Sequence, residues 1–201
     1  MKQKIIIFTG KSGAGKDTAK EYVMRNYDVN FVVSSTTRPI RSNEKEGTDY
    51  NYITNSEFIT AIYNNEFLEY RKYDTEFGVW YYGTPLKAFD ITKSYVVIKD
   101  LYGAIELKKQ LSEHFDVHIV YLNRPTSVRK YGAMLRDTNF SEEEWNRRLD
   151  KDELDFDMDM VTEYCTHRVS NAFDTEDLEV SLDFIMFEVG IEKRKEISND
   201  T

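Results

Sequence analysis

Hydrophobic positions fall along the chain in short blocks of two different periods. Residues 5–9 form a β-branched apolar run that opens directly into glycines, the pattern of a strand buried on both faces of a sheet. Residues 18–27 follow as a helix, and 30–34, around Phe31-Val32-Val33, as a second strand. From 35 to about 90 the chain changes character and becomes rich in Tyr, Thr, Asn and charge. Short strands are predicted there at 50–53, 67–73 and 79–82. Thr54-Asn55-Ser56-Glu57 has capping-box spacing and starts a helix between them. This block reads as a small mixed insertion. Alternation then resumes with a strand at 95–98, a helix at 101–112, a strand at 117–122 and a helix after Pro125. Ser141-Glu142-Glu143-Glu144 opens a charged helix expected to run to about Glu163, and Arg168-Val169-Ser170 is a last short strand. Leu178, Leu182, Ile185 and Val189 share one face of a final helix, and the polar residues 192–201 are expected to fray. Strands separated by helices predict an α/β fold with a parallel sheet covered on both faces.

Composition narrows the function classes. The chain has 201 residues, enough for one compact domain with small insertions. Its net charge is -9, which disfavours general binding of nucleic acid or an anionic membrane surface, since counterion release needs a clustered positive face. A small anionic ligand held by a few local cations stays open. One cysteine, Cys165, excludes internal disulfides and a four-cysteine zinc site. No apolar run approaches the ~20 residues of a membrane helix, and the first eight residues have too short an apolar core for a signal peptide. No nucleic-acid or membrane partner and a cytoplasmic location are therefore expected. His114, His118 and His167 show no ligand spacing, and the acidic run 150–159 reads as a solvated helix face.

The sharpest chemical signal is Gly10-Lys11-Ser12-Gly13-Ala14-Gly15-Lys16-Asp17-Thr18 between the first strand and the first helix. It fits a phosphate loop: the glycines let backbone N–H groups turn inward around an anion, the helix N-terminus adds partial positive charge, and Lys16 reaches the outer phosphates of a nucleotide. Asp17 stands where Ser or Thr is usual. It is either a hard oxygen ligand for magnesium or a first-turn carboxylate favouring the helix dipole, with Thr18 as a substitute hydroxyl. A second signal is Ser34-Ser35-Thr36-Thr37-Arg38-Pro39-Ile40-Arg41, followed by Glu44, Gly47 and Asp49-Tyr50-Asn51-Tyr52. Two arginines three apart with hydroxyls before and a tyrosine after can surround one phosphate. Taken alone, the same stretch also reads as a solvated polar loop.

With Asn65-Glu66-Phe67-Leu68-Glu69 and Tyr81-Tyr82-Gly83-Thr84 added in order, the chain from about Lys4 to Asn171 resembles the guanylate kinase family. The resemblance implies a P-loop kinase with a core at 1–34 and 91–190, an inserted acceptor domain at 35–90, a lid at about 137–147 and a polar tail at 191–201. It implies ATP held by Lys11, Ser12, Gly13, Ala14, Gly15, Lys16, Asp17 and Thr18, with Mg2+ at Asp17. Arg38, Arg41, Tyr50 and Tyr82 would clamp the acceptor phosphate, while Ser34, Glu69 and Thr84 read guanine. Glu69 can accept from both N1–H and the N2 amine, and Thr84 can donate to O6. The family's Asp-x-Asp-x-Gln-Gly run is here Ile98-Lys99-Asp100-Leu101-Tyr102-Gly103, so only Asp100 carries over. Residues 70–81 are a few longer than usual. Lys16, Arg136 and Arg148 are the catalytic set, the two arginines either lid residues or surface partners of Glu142 to Glu144. The implied reaction is phosphoryl transfer from ATP to GMP or dGMP, by a monomer or homodimer. Another nucleoside monophosphate kinase, or a binding module that has lost catalysis, is the alternative.

Overall fold

The computed structural model describes residues 2–41, 44–75, 78–136, 140–172 and 175–194, with the side chain of Arg136 outside that set. In chain order the elements are β1 (Lys4–Thr9), α1 (Lys16–Asn26), β2 (Asn30–Phe31), β3 (Ser34–Thr36), β4 (Tyr50–Tyr52), α2 (Asn55–Tyr63), β5 (Phe67–Thr75) and β6 (Gly78–Pro85). A 3-10 turn (Leu86–Ala88) leads to β7 (Tyr95–Ile98), α3 (Leu101–Leu111), β8 (Asp116–Asn123), α4 (Thr126–Arg136), α5 (Glu142–Asp155), α6 (Met158–Tyr164), β9 (His167–Ser170) and α7 (Thr175–Val189).

The apolar run of β1 lies at the centre of a parallel sheet ordered β2-β7-β1-β8-β9. Its side chains alternate between two cores, as period-two geometry requires. Ile6 and Phe8 pack with Ala19, Val23, Leu182 and Met186 of α1 and α7. Ile5 and Ile7 pack with Leu101, Ala104 and Leu107 of α3. Burial on both faces is why β1 contains no polar residue between Lys4 and Thr9. Among the described residues no helix is long and apolar enough to cross a membrane.

A second sheet, ordered β4-β3-β6-β5, is built from the middle block. Here β3 runs parallel to β4 and antiparallel to β6, and β5 and β6 form a long hairpin from Phe67↔Pro85 to Thr75↔Gly78. Its small core is aromatic. Phe58 of α2 is fully buried and stacks on Phe67 at 4.4 Å and on Tyr81 at 5.3 Å. Gly83 makes room, because a Cβ there would lie 2.9 Å from both Phe58 and Phe67. The Thr54 capping box forms in both directions.

Three expectations are corrected. The strand expected at 30–34 is two strands in different sheets. After Phe31 only Val32 still bonds the core sheet (its N–H to Val96 O, 3.1 Å), and the chain then crosses to the second sheet at Ser34. The helix expected from Ser141 to Glu163 is two helices. Phe156 leaves helical geometry to bury its ring near Tyr121, and Asp157 caps α6 by accepting from Asp159 N–H at 2.8 Å. At the end of the chain, residues 191–194 dock rather than fray: Ile191 is buried, Lys193 bridges Tyr27, and Arg194 N–H reaches Asn26 O at 2.8 Å. Residues 195–201 of the expected tail, and 137–139 of the expected lid, lie outside the described residues.

Removing the aromatic keystone of the second sheet is expected to be costly. Phe58→Ala should lower stability by about 3–5 kcal/mol, the usual range for truncating a buried phenylalanine. Urea unfolding followed by circular dichroism checks this, and a loss below about 1 kcal/mol would show that Phe58 is not the centre of a separate core.

Candidate active site

The two sheets and α5 enclose a cavity of about 830 Å³ at the carboxyl ends of β1 and β7, where open α/β sheets bind ligands. Its wall takes Gly10, Ser12 and Lys16 from the loop after β1, Ser34, Tyr50, Glu69, Tyr73 and Tyr82 from the second sheet, and Arg147, Arg148 and Asp152 from α5. A smaller depression of about 530 Å³, lined by Lys2, Lys4 and Lys193, lies at the opposite, amino end of β1, where the sheet presents no helix N-terminus to an anion.

At the phosphate-loop end, Gly10 must be glycine because a Cβ would sit 2.5 Å from Leu122 O. Gly15 caps α1 with φ 95° and no side-chain hydrogen bond, so the first-turn N–H groups stay open to an anion. The loop is held from outside. Asp152 of α5 accepts from Ser12 N–H and Oγ–H at 3.0 Å, and Arg129 of α4 bridges Asp152 and Ser12 O at 2.8 Å each. Asn171 donates to Ala14 O at 2.9 Å, and Lys11 pairs with Glu153. Lys16 donates to Gly10 O at 2.6 Å and Lys11 O at 3.2 Å. Burial pushes its ammonium below the ordinary lysine value, and Asp17, Asp152 and Asp100 oppose that. Asp17 and Thr18 are exposed, with Asp17 3.9 Å from Lys20. Among the described residues, no three His, Cys, Asp or Glu side chains converge as a metal site.

The arginine–tyrosine group forms around a buried ion pair. Arg38 gives two N–H groups to Glu44, at 2.8 and 3.0 Å, and its Nε–H to Tyr82 Oη at 3.1 Å. Tyr50 and Tyr52 lie 5.6 and 5.8 Å from its guanidinium. Burial alone would raise the Glu44 carboxyl, but hydrogen bonds from Arg38, Arg41 N–H and Tyr52 outweigh it and hold the group down at about 2. Burial likewise pushes Tyr50 up to about 12. Arg41 approaches the same Glu44 oxygen as Arg38 but more loosely, at 4.0 Å, and is 58% exposed on the cavity wall. Glu44 and Tyr52 are in the motif stretch, yet their part in the clamp is set by the fold. The only sequence signals are the three-residue step from Arg41 to Glu44 and the alternation of Tyr50 with Tyr52.

Ser34, Glu69 and Thr84 do come together, and Lys99 joins them. Thr84 Oγ–H donates to Glu69 Oε1 at 2.6 Å, and Lys99 Nζ lies 2.8 Å from the same oxygen and 3.0 Å from Ser34 Oγ. Lys99 carries no motif signal beyond being a charge at the end of an apolar strand. Asp100 caps α3 by accepting from Gly103 N–H at 2.6 Å, and its other oxygen takes Tyr73 Oη–H, with Arg71 3.8 Å away. On α5, Arg148 and Arg147 both bond Glu144, at 2.8 Å and 2.6 Å, while lining the cavity. Arg148 thus lines the cavity and pairs with Glu144 at the same time. Glu144 accepts no capping-box arm, since its carboxylate is taken by these arginines, although Ser141 Oγ caps the helix. Lys151 sits 4.3 Å over the Tyr73 ring, joining α5 to the long hairpin.

This geometry agrees with known proteins. The guanylate kinase family model matches residues 2–176. A guanylate kinase of Prochlorococcus marinus subsp. pastoris is 35% identical over 153 residues, covering 74% of this chain and 80% of its own. One from Malacoplasma penetrans is 36% identical, covering 70% and 73%. The crystal structure of guanylate kinase from Anaplasma phagocytophilum superposes with a TM-score of 0.61 at 25% identity, covering 94% of this chain and 87% of that one. With a phosphate loop, an arginine–tyrosine cluster and a buried glutamate lining one cavity in a chain matched from residue 2 to 176, this protein belongs to the guanylate kinase family.

Proposed function

We propose that the chain transfers the γ-phosphate of ATP to GMP or dGMP, giving ADP and GDP or dGDP. The observation that carries this is one cavity with the phosphate loop at one end and the buried Glu69 cluster at the other, with Arg41, Tyr50 and Tyr82 between them. Residues 35–90 act as the acceptor-binding unit and α5 as part of the lid.

Phosphoryl transfer of this kind asks the protein for position and charge rather than covalent chemistry. Backbone N–H groups of Gly13 to Lys16 and the Lys16 ammonium hold the donor phosphates. A bound polyphosphate restores to Lys16 the counter-charge that burial withholds. Arg38, fixed by Glu44 and bonded to Tyr82, receives the acceptor phosphate together with Tyr50 and Tyr82, and Arg41 closes on it from the exposed side. Arg148, on the cavity wall, faces the transferring group, and Arg136 joins it as the second catalytic arginine by family resemblance alone. Glu69 reads the base, Thr84 spends its single Oγ–H on the Glu69 carboxylate instead of on O6, and Asp100 orients Tyr73 beside it.

Magnesium on a nucleotide takes only one or two protein oxygens and fills its shell with phosphate and water. The open carboxylate of Asp17, adjacent to Lys16, fits that demand, with the Thr18 hydroxyl next to it. When bound, the ion would neutralise charge on the outer phosphates. A phosphopeptide-binding module has no use for the loop architecture around Lys16, which favours the enzyme over that reading.

The Arg38–Glu44 pair also sets an acid limit. A carboxyl whose folded value is depressed contributes stability that is complete above its unfolded value, here 4.5, and lost as pH falls through about 2. Part of this is screened by solvent, as Glu44 keeps some exposure.

Three outcomes are expected. Lys16→Ala should lower turnover by at least ~100-fold with circular dichroism unchanged, because it removes a cation from the transferring group in a water-poor site; retention of more than a tenth of wild-type turnover would overturn the donor assignment. A coupled ADP-release assay should show kcat/KM for GMP or dGMP above that for AMP by roughly 10⁴, since adenine brings no N1–H to the open Oε2 of Glu69; preference for AMP would remove the base reading and leave the kinase. Finally, the stability gap between wild type and Glu44→Gln should narrow as pH drops from 4.5 toward about 2. Thermal unfolding across that range measures it, and a constant gap would mean that the pair is not linked to folding.

A further inference from the structure

We infer that Lys99 is a specificity-determining residue of the acceptor pocket, and that it makes the site accept 6-oxopurine nucleotides without demanding the 2-amino group, so that IMP is a substrate alongside GMP. The inference rests on the reading of Glu69 as the base-facing carboxylate.

The argument counts lone pairs. A carboxylate oxygen offers about two acceptor positions. Glu69 Oε1 already accepts from Thr84 Oγ–H at 2.6 Å and from Lys99 at 2.8 Å, so its capacity is used. Oε2 takes no hydrogen bond among the described residues. Gly103 leaves it room, since a Cβ there would come within 3.4 Å of it. The carboxylate therefore meets a base with one oxygen instead of two. Guanine presents N1–H and the N2 amine side by side and parallel, a pair matched by two carboxylate oxygens, and converging on Oε2 alone would bend both bonds away from linear. Hypoxanthine presents N1–H alone, which Oε2 satisfies.

The second half concerns the carbonyl. A lysine ammonium has three N–H donors. One goes to Glu69 and one to Ser34 Oγ at 3.0 Å, leaving a third for an acceptor on the ligand. A 6-oxo group beside N1–H supplies that acceptor, and both guanine and hypoxanthine have it. Adenine offers an amine at that position and would face the ammonium donor to donor. The cluster is 9% exposed at Lys99 and 5% at Glu69, so a mismatch there is not relieved by water. The pocket is thus selective for the C=O/N–H edge and tolerant at position 2.

The test is kcat/KM for GMP, IMP, AMP and UMP with the wild type and Lys99→Met, which keeps the stem volume and frees Oε1. The wild type should use IMP within about 30-fold of GMP, the loss of a donor that the site cannot fully receive. Lys99→Met should raise the GMP-to-IMP ratio by at least about 10-fold, while its affinity for a fluorescent ATP analogue, measured separately, stays within a few-fold. A purely structural role for Lys99 would weaken both nucleotides equally and leave the ratio unmoved, which would overturn the inference. So would a wild type that rejects IMP by more than about 30-fold while using GMP, and this result alone decides if the variant does not fold. A wild type that prefers AMP or UMP would instead remove the base-reading assignment on which the inference stands.

Discussion

A charge taken out of water has to be matched by another, and that constraint organises the whole cavity. A site for nucleotide phosphates needs cations in a low-dielectric setting, yet the empty protein must also be stable. Each buried cation here has a standing partner. Arg38 is held by Glu44, Lys99 by Glu69 and Arg129 by Asp152, while Lys16 leans on the carbonyls of Gly10 and Lys11. Such pairs are weak evidence for stability, because desolvation offsets much of their attraction. What they supply is position. The guanidinium of Arg38 and the ammonium of Lys99 are already fixed before a ligand arrives, so binding does not have to order them.

The same pairs join parts of the chain that the sheet alone would leave independent. Asp152 reaches from α5 to the Ser12 N–H, Asn171 from beyond β9 to Ala14 O, and Lys151 from α5 to the ring of Tyr73. Helix α5 therefore touches the phosphate loop on one side and the acceptor hairpin on the other. It cannot shift relative to the loop without giving up hydrogen bonds to a backbone N–H, a donor that must then find another acceptor.

The parts of this arrangement that depend on local periodicity were legible in the sequence. The run at residues 5–9, the glycines after it and the Thr54 box each specify their structure within a few residues, and each forms as read. Where tertiary contacts decide, the sequence is silent or misleads. The valines after Phe31 look like one strand, but the sheet to which each residue belongs depends on where the chain crosses. Phe156 looks like one more residue of an acidic helix until its burial breaks that helix. The site followed the same division. Lys16, Arg38, Glu69 and Thr84 sit in recognisable stretches, whereas Asp152 and Lys99 are charges whose partners lie far off in sequence, Ser12 and Glu69, and no spacing rule connects them.

The two ends of the proposed acceptor pocket differ in burial, and on that reading this divides their labour. Arg41 is 58% exposed, so holding it in the empty site costs little, and its ordering is deferred to the moment of binding. In the proposed function it would add attraction for any monophosphate. Ser34, Glu69 and Thr84 lie at 0–7% exposure, where an unpaired donor or acceptor costs about 1–3 kcal/mol because no water can replace the lost partner. Affinity can therefore be gathered at the open phosphate end from a group common to all nucleotides. Discrimination has to arise at the closed end, where each mismatch is felt in full. Lys99 occupies that closed end, so on the proposed reading the pairing pattern of one buried ammonium bears directly on which bases the pocket admits.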